Sequence, residues 1–190
     1  MSGHDIGNLP EPWLRGPLPQ VNPLIAPVLY GFQQTREDLA RHTAGLTASQ
    51  VWARRMDLPP LGFHLRHMAG SVDRLTTYLE GRDLDAAQMA ALAAEMEPGA
   101  SLDELLAAVD QSLRRAAEII RAIDPATLAE PRWVGRKRLP TTVIGLLVHI
   151  AEHTQRHLGQ AIGAAQLARA CGGDEEPGAG ASPPSVLLSE

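Results

Sequence analysis

Four stretches of the chain carry apolar residues at the three- and four-residue spacing of an amphipathic helix, and none carries a convincing strand alternation. The first runs from about Asn22 to Leu46 and lines up Ile25, Val28, Leu29, Phe32 and Leu39. Asn22-Pro23 makes a good cap and first turn, but Pro27 would remove a second-turn hydrogen bond, which leaves the start between Asn22 and Pro27. "TASQ" at 47–50 has the form of a capping box for one further short turn. The second helix is expected from about Leu61 to Glu80, with Leu61, Leu65, Met68, Val72, Leu75 and Leu79 inward and Gly81 as its stop. The third opens on a Ser101–Glu104 capping box, carries Leu102, Leu105, Val109, Leu113, Ala116, Ile120 and Ile123, and ends at Asp124-Pro125. The fourth starts after Pro140, capped by Thr141 or Thr142, and continues to about Arg169. Between the second and third, residues 82–97 are alanine-rich and read as a weaker helical insertion ended by Pro98-Gly99.

Amphipathic helices of this length can bury their stripes only against one another, so the expected fold is all-α, an antiparallel four-helix bundle. The ends differ in composition from the middle. Residues 1–21 and 171–190 are rich in Pro, Gly and acidic side chains and read as tails, leaving a bundle domain over 22–170. At 44% hydrophobic residues, a domain of that size has enough apolar surface for one core.

Cys171 is the only cysteine, which removes a disulfide framework and a thiolate zinc cluster from consideration. The longest apolar runs, "LIAPVLYGF" and "VIGLLVHIA", are far short of the roughly 20 residues of a membrane span. The opening residues lack a basic segment followed by an apolar one, so a cytoplasmic location and no membrane partner are expected. A net charge of −5 argues against general nucleic-acid binding, which needs clustered positive charge. One basic cluster, Arg132, Arg136, Lys137 and Arg138, remains before the fourth helix.

Five of the seven histidines fall in two windows, His64 and His67 on the second helix and His149, His153 and His157 on the fourth. At about 100° per residue a four-residue step advances about 40°, so the last three span about 80° of one helix face. That face lies on the flank of the apolar stripe, where a side chain reaches both a neighbouring helix and solvent. Clustered imidazoles repel if charged and lack partners if neutral, and a divalent transition metal resolves both. Two motifs compete for the ligands. "HIAEH" has the H-x-x-E-H form of inverted zinc proteases, with His149 and His153 on zinc and Glu152 as base, but nothing else in the chain suggests a sheet edge to hold a peptide. The other pairs His153 and His157 with a histidine of the second helix. On the helical wheel His64 lies nearer the centre of the apolar stripe than His67, and the wheel does not choose between them.

"GFHLRHMAGSVDRLTTYLEGR" (62–82) and "LPTTVIGLLVHIAEHTQRHLGQAI" (139–162) resemble the DinB-like family of four-helix bundle proteins, most specifically in the H-x-x-x-H-x-G-Q segment from His153 to Gln160 and in "HMAG" from His67. The resemblance extends over about residues 22–170. It implies a homodimer and a divalent metal (Zn, Ni or Fe) on three histidines, here His67, His153 and His157. His64 then stands beside the ligands, His149 lines the pocket or is a plain boundary residue, and Gln160 either orients a ligand or is a surface amide.

Three neutral imidazoles leave a coordination position open, unlike a closed structural zinc site. An open site can activate a bound water or the thiolate of a low-molecular-weight thiol. The resemblance implies the thiol, since relatives include bacillithiol- or mycothiol-dependent S-transferases and a thiol-dependent isomerase. The expected function is therefore a metal-dependent thiol S-transferase or hydrolase acting on a small-molecule substrate. The alternative is a non-catalytic metal-binding stress-response protein. The basic cluster would then either place positive charge near the pocket mouth or form a solvated loop, and Trp133 would cover either the pocket or only the bundle end.

Overall fold

The structure, a computed structural model, describes residues 9–171. Its long helices are α1 (Ala26–Thr43), α3 (Leu61–Leu79), α5 (Leu102–Arg121) and α6 (Val143–Cys171), joined by the short helices α2 (Ala48–Trp52) and α4 (Ala86–Ala93) and by a hairpin of β1 (Pro131–Val134) and β2 (Leu139–Thr142). α1 packs on α6, and α3 packs on both α5 and α6. The expected stripes meet in one core, in which Phe32, Leu65, Met68, Leu113, Ile120, Leu147 and Ile150 are fully buried.

Helix boundaries follow the local chemistry. Asn22 Oδ1 accepts from the Leu24 amide at 2.8 Å and its carbonyl accepts from Ile25 and Ala26, so a turn precedes α1 and Pro27 falls in the first helical turn, where no donor is needed. The boxes at Thr47 and Ser101 form, and Asp85 with Gln88 makes another at the start of α4. Thr142 Oγ1 accepts from the Gly145 amide at 3.1 Å at the start of α6. No helix among the described residues is long and apolar enough to cross a membrane.

Contacts fix the helix directions. Gln155 donates to the Gly31 carbonyl at 2.9 Å and Arg169 to the carbonyls of His42 and Ala44, so α1 and α6 run parallel. Ser112 donates to Ala69 at 2.8 Å and Arg115 pairs with Asp73 at 3.5 Å, so α3 and α5 are also parallel. Antiparallel packing holds between these pairs, as where the His-bearing turns of α3 face α6 in reverse order: His64 meets His157 and His67 meets His153. The arrangement requires a connection that returns along the bundle between α3 and α5. Residues 82–100 are that connection, and α4 lies along α3, with Gln88 Nε2 bonding Asp73 at 2.6 Å and Thr77 at 2.8 Å.

Two segments differ from the sequence expectation. The basic stretch before the fourth helix is a hairpin, with Pro131 opposite Thr142 and Val134 opposite Leu139. Strands of four residues with a proline in each are too short to display an alternation. Within the expected N-terminal tail, residues 9–21 lie on α1: Arg15 forks onto Glu37 at 2.7 Å on both oxygens, Tyr30 donates to the Gly16 carbonyl at 2.8 Å, and Leu18 and Val21 pack on the core. Residues 1–8 and, beyond Cys171, the C-terminal tail lie outside the described residues.

Candidate metal centre

The seam between α3 and α6 holds the histidines. Leu65 and Met68 on α3 and Leu147 and Ile150 on α6 are fully buried, which turns His67, His153 and His157 to the flank, half-buried. Their ring centroids are 4.3 Å apart for His67 and His157, 4.6 Å for His153 and His157, and 5.3 Å for His67 and His153. One ring nitrogen from each lies within 4.8 Å of the others, a group able to hold a metal ion. Nε2 of His67 faces Nε2 of His153 at 3.1 Å. Zinc at roughly 2.0–2.1 Å from two imidazole nitrogens would set them about 3.3 Å apart in a tetrahedron, so this pair stands close to the ligand spacing.

The electrostatics suit a cation. Burial, then the neighbouring imidazoles, lowers the pKa of His153, and the same causes push His157 down to about 4. Both are neutral at pH 7, the form that ligates. Their Nδ1 atoms are buried without a hydrogen-bond partner, a cost of about 1–3 kcal/mol for each unpaired group. A pair of neutral imidazoles of this kind gains from an electrophile among the ring nitrogens.

A carboxylate that sequence reasoning did not single out supports the first ligand. Glu95, only 5% exposed, takes His67 Nδ1 at 2.6 Å on Oε2, and its Oε1 pairs with Arg74 Nη2 at 2.8 Å. Burial alone would raise the Glu95 carboxyl, but the hydrogen bond of His67 and the charge of Arg74 outweigh it and hold the pKa below the usual value. An ionised carboxylate at Nδ1 fixes the proton there and leaves Nε2 of His67 free to ligate. Phe63 stacks on the same ring at a 5.5 Å centroid distance. Gly70 makes room for the pair, since a Cβ there would sit 2.7 Å from Arg74 Nη1 and 3.1 Å from Glu95 Oε1. Glu95 reaches the site because the returning connection runs along α3; Arg66 ties it down by donating to the carbonyls of Ala94, at 2.8 Å, and Glu97.

A model of the DinB superfamily matches residues 31–161. The chain belongs to the DinB superfamily. The match runs from α1 into α6 and takes in the three histidines, Gly70 and the returning connection with Glu95. No curated protein matches the chain.

Within this DinB bundle the remaining candidates separate. His64 is buried, with its ring 5.8 Å from that of His157 and edge-on to Phe63, but it stands outside the group of three. His149 is half-exposed and pairs through Nδ1 with Glu152 at 2.8 Å, while Glu152 also pairs with Arg156. The H-x-x-E-H motif therefore brings its glutamate and first histidine to the surface, where the His149 ring lies 5.3 Å from that of His153 but outside the group of three. Gln160 is exposed and lines a cavity with His64. The basic hairpin does not border the centre: Arg132 donates to the Leu79 carbonyl at 2.8 Å, at the far end of α3, about 18 Å along the helix from His67. Arg138 lies over Trp133 there, 5.0 Å from its ring.

Proposed function

We propose that this DinB protein is a divalent-metal-dependent enzyme that activates a thiol or water nucleophile, of the thiol S-transferase or hydrolase type, with His67, His153 and His157 as the ligands. The observation that carries this reading is the tautomer lock: a buried, ionised Glu95 holds the Nδ1 proton of His67, so that its Nε2 presents a lone pair toward His153 and His157. A divalent cation bound there would supply Lewis acidity that lowers the pKa of a thiol or water. The chain contributes the neutral nitrogen donors, the fixed orientation of His67 and, through Phe63, an apolar wall. With His64 outside the group and His149 engaged by Glu152, the donor set supports an open centre over a closed structural one.

Turnover separates this from the alternative, a stress-response protein with a non-catalytic metal. Metal-loaded protein incubated with a low-molecular-weight thiol and monochlorobimane should form the thioether faster than buffer, and a chelator should abolish the gain. A panel of thiol acceptors and esters without turnover, on protein carrying about one ion per chain, would leave the structural reading. A cytoplasmic homodimer is part of the proposal. The exposed side chains of Trp13, Leu14, Leu24 and Val148 supply apolar surface for such contact. A monomer in sedimentation at micromolar concentration would dispose of the dimer.

A further inference from the structure

A cavity of about 300 Å³ opens beside the histidine cluster, between the loop after α2 and the second half of α6. Leu58, Pro59 and Leu167 give it apolar walls, and Arg55, His64 and Gln160 are its polar lining. No acidic side chain borders it among the described residues. Arg55 makes no ion pair there, and its Nε is buried without a hydrogen-bond partner, as is Nδ1 of His64, a side chain only 5% exposed. Two unsatisfied polar groups at one cavity are uncommon, because each costs free energy unless something pairs with it.

The backbone is built to hold Arg55 there. Arg55 and Leu58 form an isolated bridge closed by the Leu58 amide on the Arg55 carbonyl at 2.9 Å. The two residues between them, Met56 at φ 49° and Asp57 at φ 59°, are both left-handed although neither is glycine. Two left-handed residues in succession make the I′ turn of a two-residue hairpin, which fixes the backbone of Arg55 relative to Leu58. On the cavity's inner side, the His64 ring lies 5.8 Å from that of His157, so the cavity and the proposed metal centre share a wall.

We propose that this cavity is a subsite for a small organic carboxylate with an apolar body, its head on the Arg55 guanidinium and its body against Leu58, Pro59 and Leu167. A guanidinium offers a planar fork to a carboxylate, Gln160 supplies a second donor at the rim, and the apolar walls favour a carbon chain over a bare inorganic anion. The role of such a ligand as substrate rests on the metal-centre reading, but its binding does not, because Arg55 rather than the ion holds the head.

The test is calorimetric titration of hexanoate and its neutral isostere hexanamide into the full-length protein, with the ion present and after chelation. Hexanoate should bind in both states, at least tenfold more tightly than hexanamide. Arg55→Gln should weaken hexanoate tenfold or more without changing metal content, and Arg55→Lys should recover part of the loss. Equal binding of acid and amide, or an Arg55→Gln variant that binds hexanoate like the wild type, would overturn the subsite. Hexanoate binding that vanishes on chelation and ignores Arg55 would place the carboxylate on the ion, overturning the subsite while leaving the metal centre intact. Protein that takes up no divalent ion when one is supplied, yet binds hexanoate through Arg55, would overturn the metal centre and keep the subsite.

Discussion

Replacing Glu95 by alanine should damage stability and metal affinity together. The carboxylate is 5% exposed and its partner Arg74 is 8% exposed, so the variant leaves a guanidinium buried beside Gly70 with no anion. Removing one member of a buried pair costs about 3–5 kcal/mol. Some of that returns if the long Arg74 side chain finds water, which puts the expectation near the lower end, about 3 kcal/mol. For a domain of this size that is a drop of about 6–12 °C in Tm. Separately, His67 loses the acceptor that fixes its proton at Nδ1, and losing such an outer partner weakens metal binding by about 10–100-fold. Calorimetric unfolding of metal-stripped protein reads the first effect, and competition against a chelator of known affinity reads the second. Glu95→Gln keeps an acceptor for His67 but no charge for Arg74, so it should spare more of the affinity than of the stability. A Glu95→Ala variant with Tm within about 2 °C of wild type and unchanged chelator competition would refute the tautomer-lock argument.

Gly70→Ala should act through the same pair: the added Cβ would displace Arg74 and Glu95 and lower metal affinity several-fold, with chelator competition as the readout. The pH response follows from His157, whose pKa falls from 6.5 to about 4 on folding. Below pH 6.5 the unfolded chain takes up a proton that the folded chain refuses, so stability of the metal-free protein should decline toward pH 4 and level off beneath it. His157→Gln should flatten that slope between pH 6.5 and about pH 4 in urea unfolding; equal slopes would exclude His157 as its source. Gly62→Ala should cost about 1–3 kcal/mol in thermal unfolding, because its Cβ would meet the Trp52 ring at 2.7 Å.

The helices were legible because their signals are local. Capping boxes at Thr47 and Ser101, the Gly81 stop and the apolar stripes each depend on residues within a turn or two of one another. The pair His153 and His157 was legible for the same reason, being one turn apart on α6. The helical wheel does not favour His67 over His64: His64 lies nearer the centre of the α3 stripe, and it is the crossing with α6 that brings the His67 ring to His153. Glu95 was out of reach, since nothing nearby in sequence says that an alanine-rich connection must return along α3 and bury its one inward carboxylate. The hairpin escaped notice because two four-residue strands carry no measurable period, and Arg132 reads as solvated until the end of α3 is seen to accept its hydrogen bond. Parallel pairing of α1 with α6 and α3 with α5 likewise emerges only from long-range contacts.

Elemental analysis of protein purified without a histidine tag, as wild type and as His153→Ala, tests the central claim most directly. His153 faces both other ligands, with its Nε2 3.1 Å from that of His67 and its ring 4.6 Å from that of His157. The wild type should carry about one divalent transition-metal ion per chain, and the variant, still folded, should carry almost none. Full occupancy retained in the variant would contradict the account.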